Sequence, residues 1–264
     1  MKKIFIPALA AVCIMTACKK DNNMPSEYDS SKKAALSIEF DNVAGASDLA
    51  LTTGSYTNPT GETFNVTKLK YYISNVKLTN TNGMEYVVPQ DSCYFLIDES
   101  DEDTHEPVVR IPEGEYKSLT FTIGVDSLRN TKDISQRTGV LDPTGAGADM
   151  YWSWNSGYIF FKMEGQSAAS AMGDYQYHIG LYGGMSTATI NNVKTITIDL
   201  TSRGTPKVKS TKSTNVHLMV DILKMFNGTS NFSIAARPMV MVDPFSATIA
   251  DNYTKMFSHD HTEN

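Results

Sequence analysis

Five histidines, three cysteines and two tryptophans hold most of the coordination chemistry open to this 264-residue chain. Imidazole suits copper, and thiolate or thioether sulfur suits Cu(I). His178 lies in the strand-like Tyr177-His178-Ile179-Gly180 and is the first choice for a ligand, although a lone strand histidine is more often a satisfied core residue. Near the C-terminus stands His259-Asp260-His261. An extended His-x-His sets both rings on one side and can chelate a soft or borderline metal; a solvated tail accounts equally well for the same residues. His217, between Val216 and Leu218, can face inward or outward and ranks lower. His105 follows the acidic run Asp98–Asp103, most simply a solvated loop whose spacing does not match an EF-hand.

Both tryptophans fall in Met150-Tyr151-Trp152-Ser153-Trp154-Asn155-Ser156-Gly157-Tyr158. In a strand Trp152 and Trp154 share a face, with Asn155 and Lys162 as polar partners. Packing is the plain account of such a run, since aromatic side chains bury large areas. Exposed instead, Trp152, Trp154, Asn155 and Tyr158 would make an aromatic platform for a glycan or a protein. The chain carries no Gly-x-Ser-x-Gly, no His-Glu-x-x-His and no phosphate-binding glycine loop, so turnover is not expected. A net charge of -6 argues against nucleic acid as a partner.

Positioning these residues falls to a β-rich body behind an export signal. Lys2 and Lys3 precede an apolar run from Ile4 to Met15, the length of a signal-peptide core and too short to span a bilayer. The run ends in Thr16-Ala17-Cys18, which resembles a bacterial lipobox: residues 1–17 would be removed and Cys18 acylated. Residues 18–34 then form a flexible tether, and residues 35–264 form one domain. Cys93 is the sole cysteine left in that domain, so no internal disulfide is expected, and its aromatic neighbours suit a buried, inert thiol better than a Cu(I) ligand.

Leu36, Ile38 and Phe40 alternate with Ser37, Glu39 and Asp41, the period of a half-buried strand. Similar runs lie at 69–78, 94–97, 119–125, 158–163, 175–181, 193–200 and 216–220, punctuated by turns such as Asn82-Gly83. Many short strands of this kind predict an all-β, antiparallel two-sheet sandwich. Two short helices are added, one over 221–226 ending at Asn227-Gly228, the other opening at Asp243-Pro244 and carrying Phe245, Ile249, Tyr253 and Met256/Phe257 on one face.

The Trp-x-Trp-Asn-x-Gly-Tyr string, with Leu69–Val76, Gly124-Val125-Asp126-Ser127 and Tyr177-His178-Ile179-Gly180 in order, resembles the MbnP-like family of copper-binding proteins from about Leu36 onward. The resemblance implies an exported β-sandwich that handles copper. It also implies a di-haem partner enzyme of the peroxidase type, which in some members oxidises a tryptophan near the metal; Trp152 and Trp154 are the matching positions. His178, His259 and His261 are the expected metal ligands beside them. No histidine lies within the Trp motif itself, a departure from relatives whose copper sites join histidines to the modified tryptophan. The resulting expectation is a lipoprotein of the outer membrane, facing periplasm or cell surface, that stores, delivers or senses copper. The alternative is a surface lipoprotein that binds glycan or protein through its aromatic residues.

Overall fold

The computed structural model describes residues 28–152, 154 and 157–264. The signal segment, Cys18 and Asn155 lie outside the described residues. Ten strands of five or more residues build the body: β1 (Lys33–Ala44), β2 (Lys68–Asn80), β3 (Tyr94–Asp98), β4 (Val108–Pro112), β5 (Gly114–Ile123), β6 (Gly157–Gln166), β7 (Asp174–Gly180), β8 (Lys194–Asp199), β9 (Asn215–Asp221) and β10 (Phe257–Glu263). They form two facing sheets. The smaller runs β10-β9-β1-β4, and the larger runs β8-β5-β2-β6-β7 with β3 also paired to β2. The all-β sandwich expected from the sequence is therefore what forms. Most ladders are antiparallel, but β1 runs parallel to β9, and β7 runs parallel to the short strand Met239–Val240.

The alternation read in β1 is realised residue by residue. Ala34, Leu36, Ile38 and Phe40 are buried, while Glu39 and Asp41 keep to the outer side. Phe40 meets Phe257 on its own sheet and Tyr71 and Phe121 on the other, with ring centroids 5.8–6.3 Å apart in edge-on contacts. Burying each such ring contributes about 1.5–3 kcal/mol. With Cys93 free and buried, this aromatic interior rather than a disulfide ties the sheets together.

The larger sheet is covered on both faces. Tyr71 joins the core between the sheets, whereas its neighbour Tyr72 packs outward into a second cluster with Tyr158, Phe160, Met150, Leu141 and Trp152. That cluster lies partly under the connection between β5 and β6, which includes the four-residue helix α1 (Ser127–Asn130). Of the two helices predicted, the first opens three residues later than expected, as α2 (Lys224–Asn227), because Asp221 still belongs to β9; the second forms as α3 (Ser246–Tyr253). Asp243 accepts from the Phe245 backbone N–H at 2.7 Å ahead of α3. The helical spacing through Met256 and Phe257 is not used: α3 stops at Tyr253 and Phe257 opens β10. Among the described residues no helix is long and apolar enough to cross a membrane.

Candidate metal centre

The tryptophan motif folds as a tight corner. Tyr151–Trp152 pairs antiparallel with the start of β6, Trp152 facing Gly157, so the tip between them carries Trp154. Trp152 is 4% exposed and Trp154 66%, with ring centroids 5.8 Å apart. The Trp152 ring lies directly over Gly180 of β7, where a Cβ would sit 2.6 Å from its Cζ3. Only glycine leaves room for that approach. An ion-pair clamp seats the corner from below. Lys162 of β6, itself buried, donates to Asp149 Oδ1 at 2.8 Å and to the Asp149 carbonyl. Lys68 and Lys70 reach the same carboxylate, and these cations hold it down to about 2 against the cost of burial.

Tyr158 is fully buried and donates to the Leu141 carbonyl at 2.6 Å, which removes it from any surface platform. Of the aromatic residues proposed for such a platform, Trp154 alone is exposed. His178 alternates with Gly180 on the same face of β7, in register with Lys162. Its Nε2 is 2.7 Å from Glu164 Oε1, and burial pushes its pKa down despite that partner. Trp152 Nε1 is buried with no hydrogen-bond partner. Among the described residues His178 joins no group of three His, Cys, Asp or Glu donors. A copper ion beside the tryptophans would thus find one imidazole, already engaged. The residues at this corner do not fit the copper site that the resemblance implies.

The terminal histidines part company. In β10, His261 faces His217 of β9 while His259 faces Leu218, so Asp260 is an extra residue with no partner across the ladder. This β-bulge breaks the two-residue period that would have set both rings on one side. His259 turns inward, 8% exposed, with Nε2 2.9 Å from Thr262 Oγ1 and Nδ1 unpartnered. Burial lowers its pKa. His261 turns outward together with Asp260. Its Nδ1 is 2.8 Å from Asp260 Oδ2, which holds the imidazole pKa up and the carboxyl pKa down.

His217, ranked low in the sequence, completes the group. Its Nδ1 lies 3.2 Å from His261 Nδ1 and 3.9 Å from Asp260 Oδ2, and its Nε2 lies 3.2 Å from Asp41 Oδ2 of β1. Among the described residues His217, Asp260 and His261 form the one such trio whose ligand atoms come within 4.8 Å of one another. His217 and Asp41 each occupy the polar phase of an alternating strand, the only signal the sequence held. Their meeting with His261 is set by strand pairing that no local pattern encodes.

The MbnP family model matches residues 33–242. The chain belongs to the MbnP family. Its fold is also similar to the solved structure of MbnP from Methylosinus trichosporium, with a TM-score of 0.52, 15% identity, and coverage of 76% of this chain and 80% of that one. No curated protein matches the sequence. The family match takes in Trp152, Trp154, His178 and His217 and stops short of Asp260 and His261.

Proposed function

We propose that this MbnP-family protein is a lipid-anchored, extracytoplasmic metal-binding protein, with copper as the metal, which stores, delivers or senses the ion and does not turn over a substrate. The observation that carries the reading is the convergence of His217 Nδ1, His261 Nδ1 and Asp260 Oδ2 on the outer face of the smaller sheet. Two imidazoles and a carboxylate are competent ligands for a first-row transition ion. Membership of a family linked to copper systems points to copper among such ions. The export signal and Cys18 supply the compartment and the anchor, each acyl CH₂ buried in the bilayer contributing about 0.8 kcal/mol.

Intact-mass spectrometry of the protein isolated from membranes tests anchor and cargo together. A mass consistent with cleavage before Cys18, acylation and one retained metal is expected. Calorimetric titration of the demetallated body should give one copper equivalent at a dissociation constant of about 1 μM or tighter. Absence of binding at that level refutes the reading.

A further inference from the structure

The trio differs from a chance surface cluster in how its imidazoles are backed. His217 presents Nε2 to the Asp41 carboxylate at 3.2 Å, and His261 presents Nε2 to Glu263 Oε1 at 3.6 Å. A carboxylate behind one ring nitrogen favours the proton there and leaves the other as a lone pair, the arrangement that orients metal-binding histidines. Both inner nitrogens then face each other, 3.2 Å apart, with a carboxylate oxygen beside them. A proton on His261 Nδ1 serves the 2.8 Å contact to Asp260, and a bound metal ion would take that proton's place between the three donors.

Their spacing fits one. Edges of 3.2, 2.8 and 3.9 Å put the point equidistant from the three atoms about 2.0 Å from each, the bond length of imidazole and carboxylate to Zn²⁺. The bulge at Asp260 is what delivers this geometry. Without the extra residue, Asp260 would follow the strand period to the opposite face from His261.

Taking the metal-binding reading as its basis, we propose that this centre is a divalent-ion site, for Cu(II) ahead of Cu(I), bound by His217, His261 and Asp260. Asp41 acts as the positioning residue for the His217 imidazole. It is separate from the tryptophan corner, and two of its three ligands lie beyond the part of the chain the family model covers. No sulfur belongs to the trio, and soft donors are what select Cu(I). The carboxylates of Asp260, Asp41, Glu39 and Glu263 surround the two rings, a field that rewards a second positive charge on the ion. Among divalent first-row ions Cu²⁺ stands highest in intrinsic affinity. Met219, on the same face of β9 and paired with Asp41, is the soft side chain to exclude by experiment.

The test uses the soluble body with Cu(II), Zn(II) and, under reducing conditions, Cu(I) against a chromophoric chelator. One Cu(II) is expected, with a tetragonal electron paramagnetic resonance spectrum showing two imidazole nitrogens. His261→Ala, at a half-exposed position, and His217→Ala should each abolish it, with unchanged melting temperature showing that the sandwich survives. Asp41→Asn should weaken Cu(II) by about 10–100-fold while leaving the two-nitrogen spectrum intact, the mark of a positioning role. Met219→Leu should change nothing. Tighter binding of Cu(I) than Cu(II), or Cu(I) binding lost in Met219→Leu, overturns the assignment. A copper equivalent that survives both histidine substitutions overturns the site while leaving metal binding as the function. Failure of every ion to bind removes both.

Discussion

Glu99 offers the sharpest check on the electrostatics beside the smaller sheet. It lines a cavity of about 550 Å³ together with Glu39, Asp48, Glu102 and His105. Its side chain is 9% exposed, with Asn42 donating to Oε2 at 2.9 Å and His105 Nε2 at 3.7 Å. Burial dominates, raising its pKa from the ordinary 4.5 to about 7. A carboxyl raised in the folded state is disfavoured as an anion there. Its contribution to stability is complete below about pH 4.5 and is lost as pH climbs through about 7. At about 1.4 kcal/mol per pKa unit the ceiling is roughly 3 kcal/mol. Water in the cavity and the nearby imidazole reduce this to about 1–2 kcal/mol. Glu99→Gln keeps the acceptor for Asn42 and removes the charge. The variant should match the parent in urea unfolding at about pH 5. At about pH 8 it should exceed it by about 1–2 kcal/mol, or about 3–6 °C in melting temperature. An equal difference at both pH values, or a variant less stable at the higher one, refutes the argument from burial.

Three further outcomes follow from the larger sheet. Gly180→Ala drives a methyl into Trp152 and should cost about 1–3 kcal/mol while changing tryptophan emission; unaltered melting and fluorescence would show that the ring does not rest on that backbone. Lys162→Met removes the main cation on Asp149, whose lowered pKa supports the fold above its ordinary 3.8 and is lost as pH falls toward about 2. Its acid-unfolding midpoint should rise, with about 1 kcal/mol lost at neutral pH, and an unshifted midpoint counts against the clamp. His178→Ala should leave the copper stoichiometry of the protein unchanged, because its Nε2 is engaged by Glu164 and it joins no group of donors among the described residues; loss of the copper equivalent in a folded variant would return the site to the tryptophan corner.

The strands with a two-residue period were open to reading because burial of one face imposes it, as Leu36, Ile38 and Phe40 do in β1. The helix openings at Asp243-Pro244 and the stop at Asn227-Gly228 were equally local. The last strand was not. Met256 and Phe257 continue a helical spacing, and Ser258 to Glu263 holds no apolar alternation, so nothing nearby announces β10. It is a strand because the edge of β9 needs partners for its backbone. The candidate centre shares that cause. His217 and His261 stand 44 positions apart, and one unpaired residue in a ladder decides that Asp260 and not His259 joins them. Chemical type was visible in the sequence; proximity was not.

The parallel ladder joining β1 to β9 has a consequence for how the molecule comes into being. Glu39 and Asn215 are neighbours across it despite a separation of 176 positions, and β10 has β9 as its ladder partner. The first strand made must therefore wait, its apolar edge uncovered, until nearly the whole polypeptide has been delivered. Such distant closure is slow and leaves sticky intermediates. Truncation of the final few dozen residues should therefore cripple assembly far more than their small share of the interior suggests.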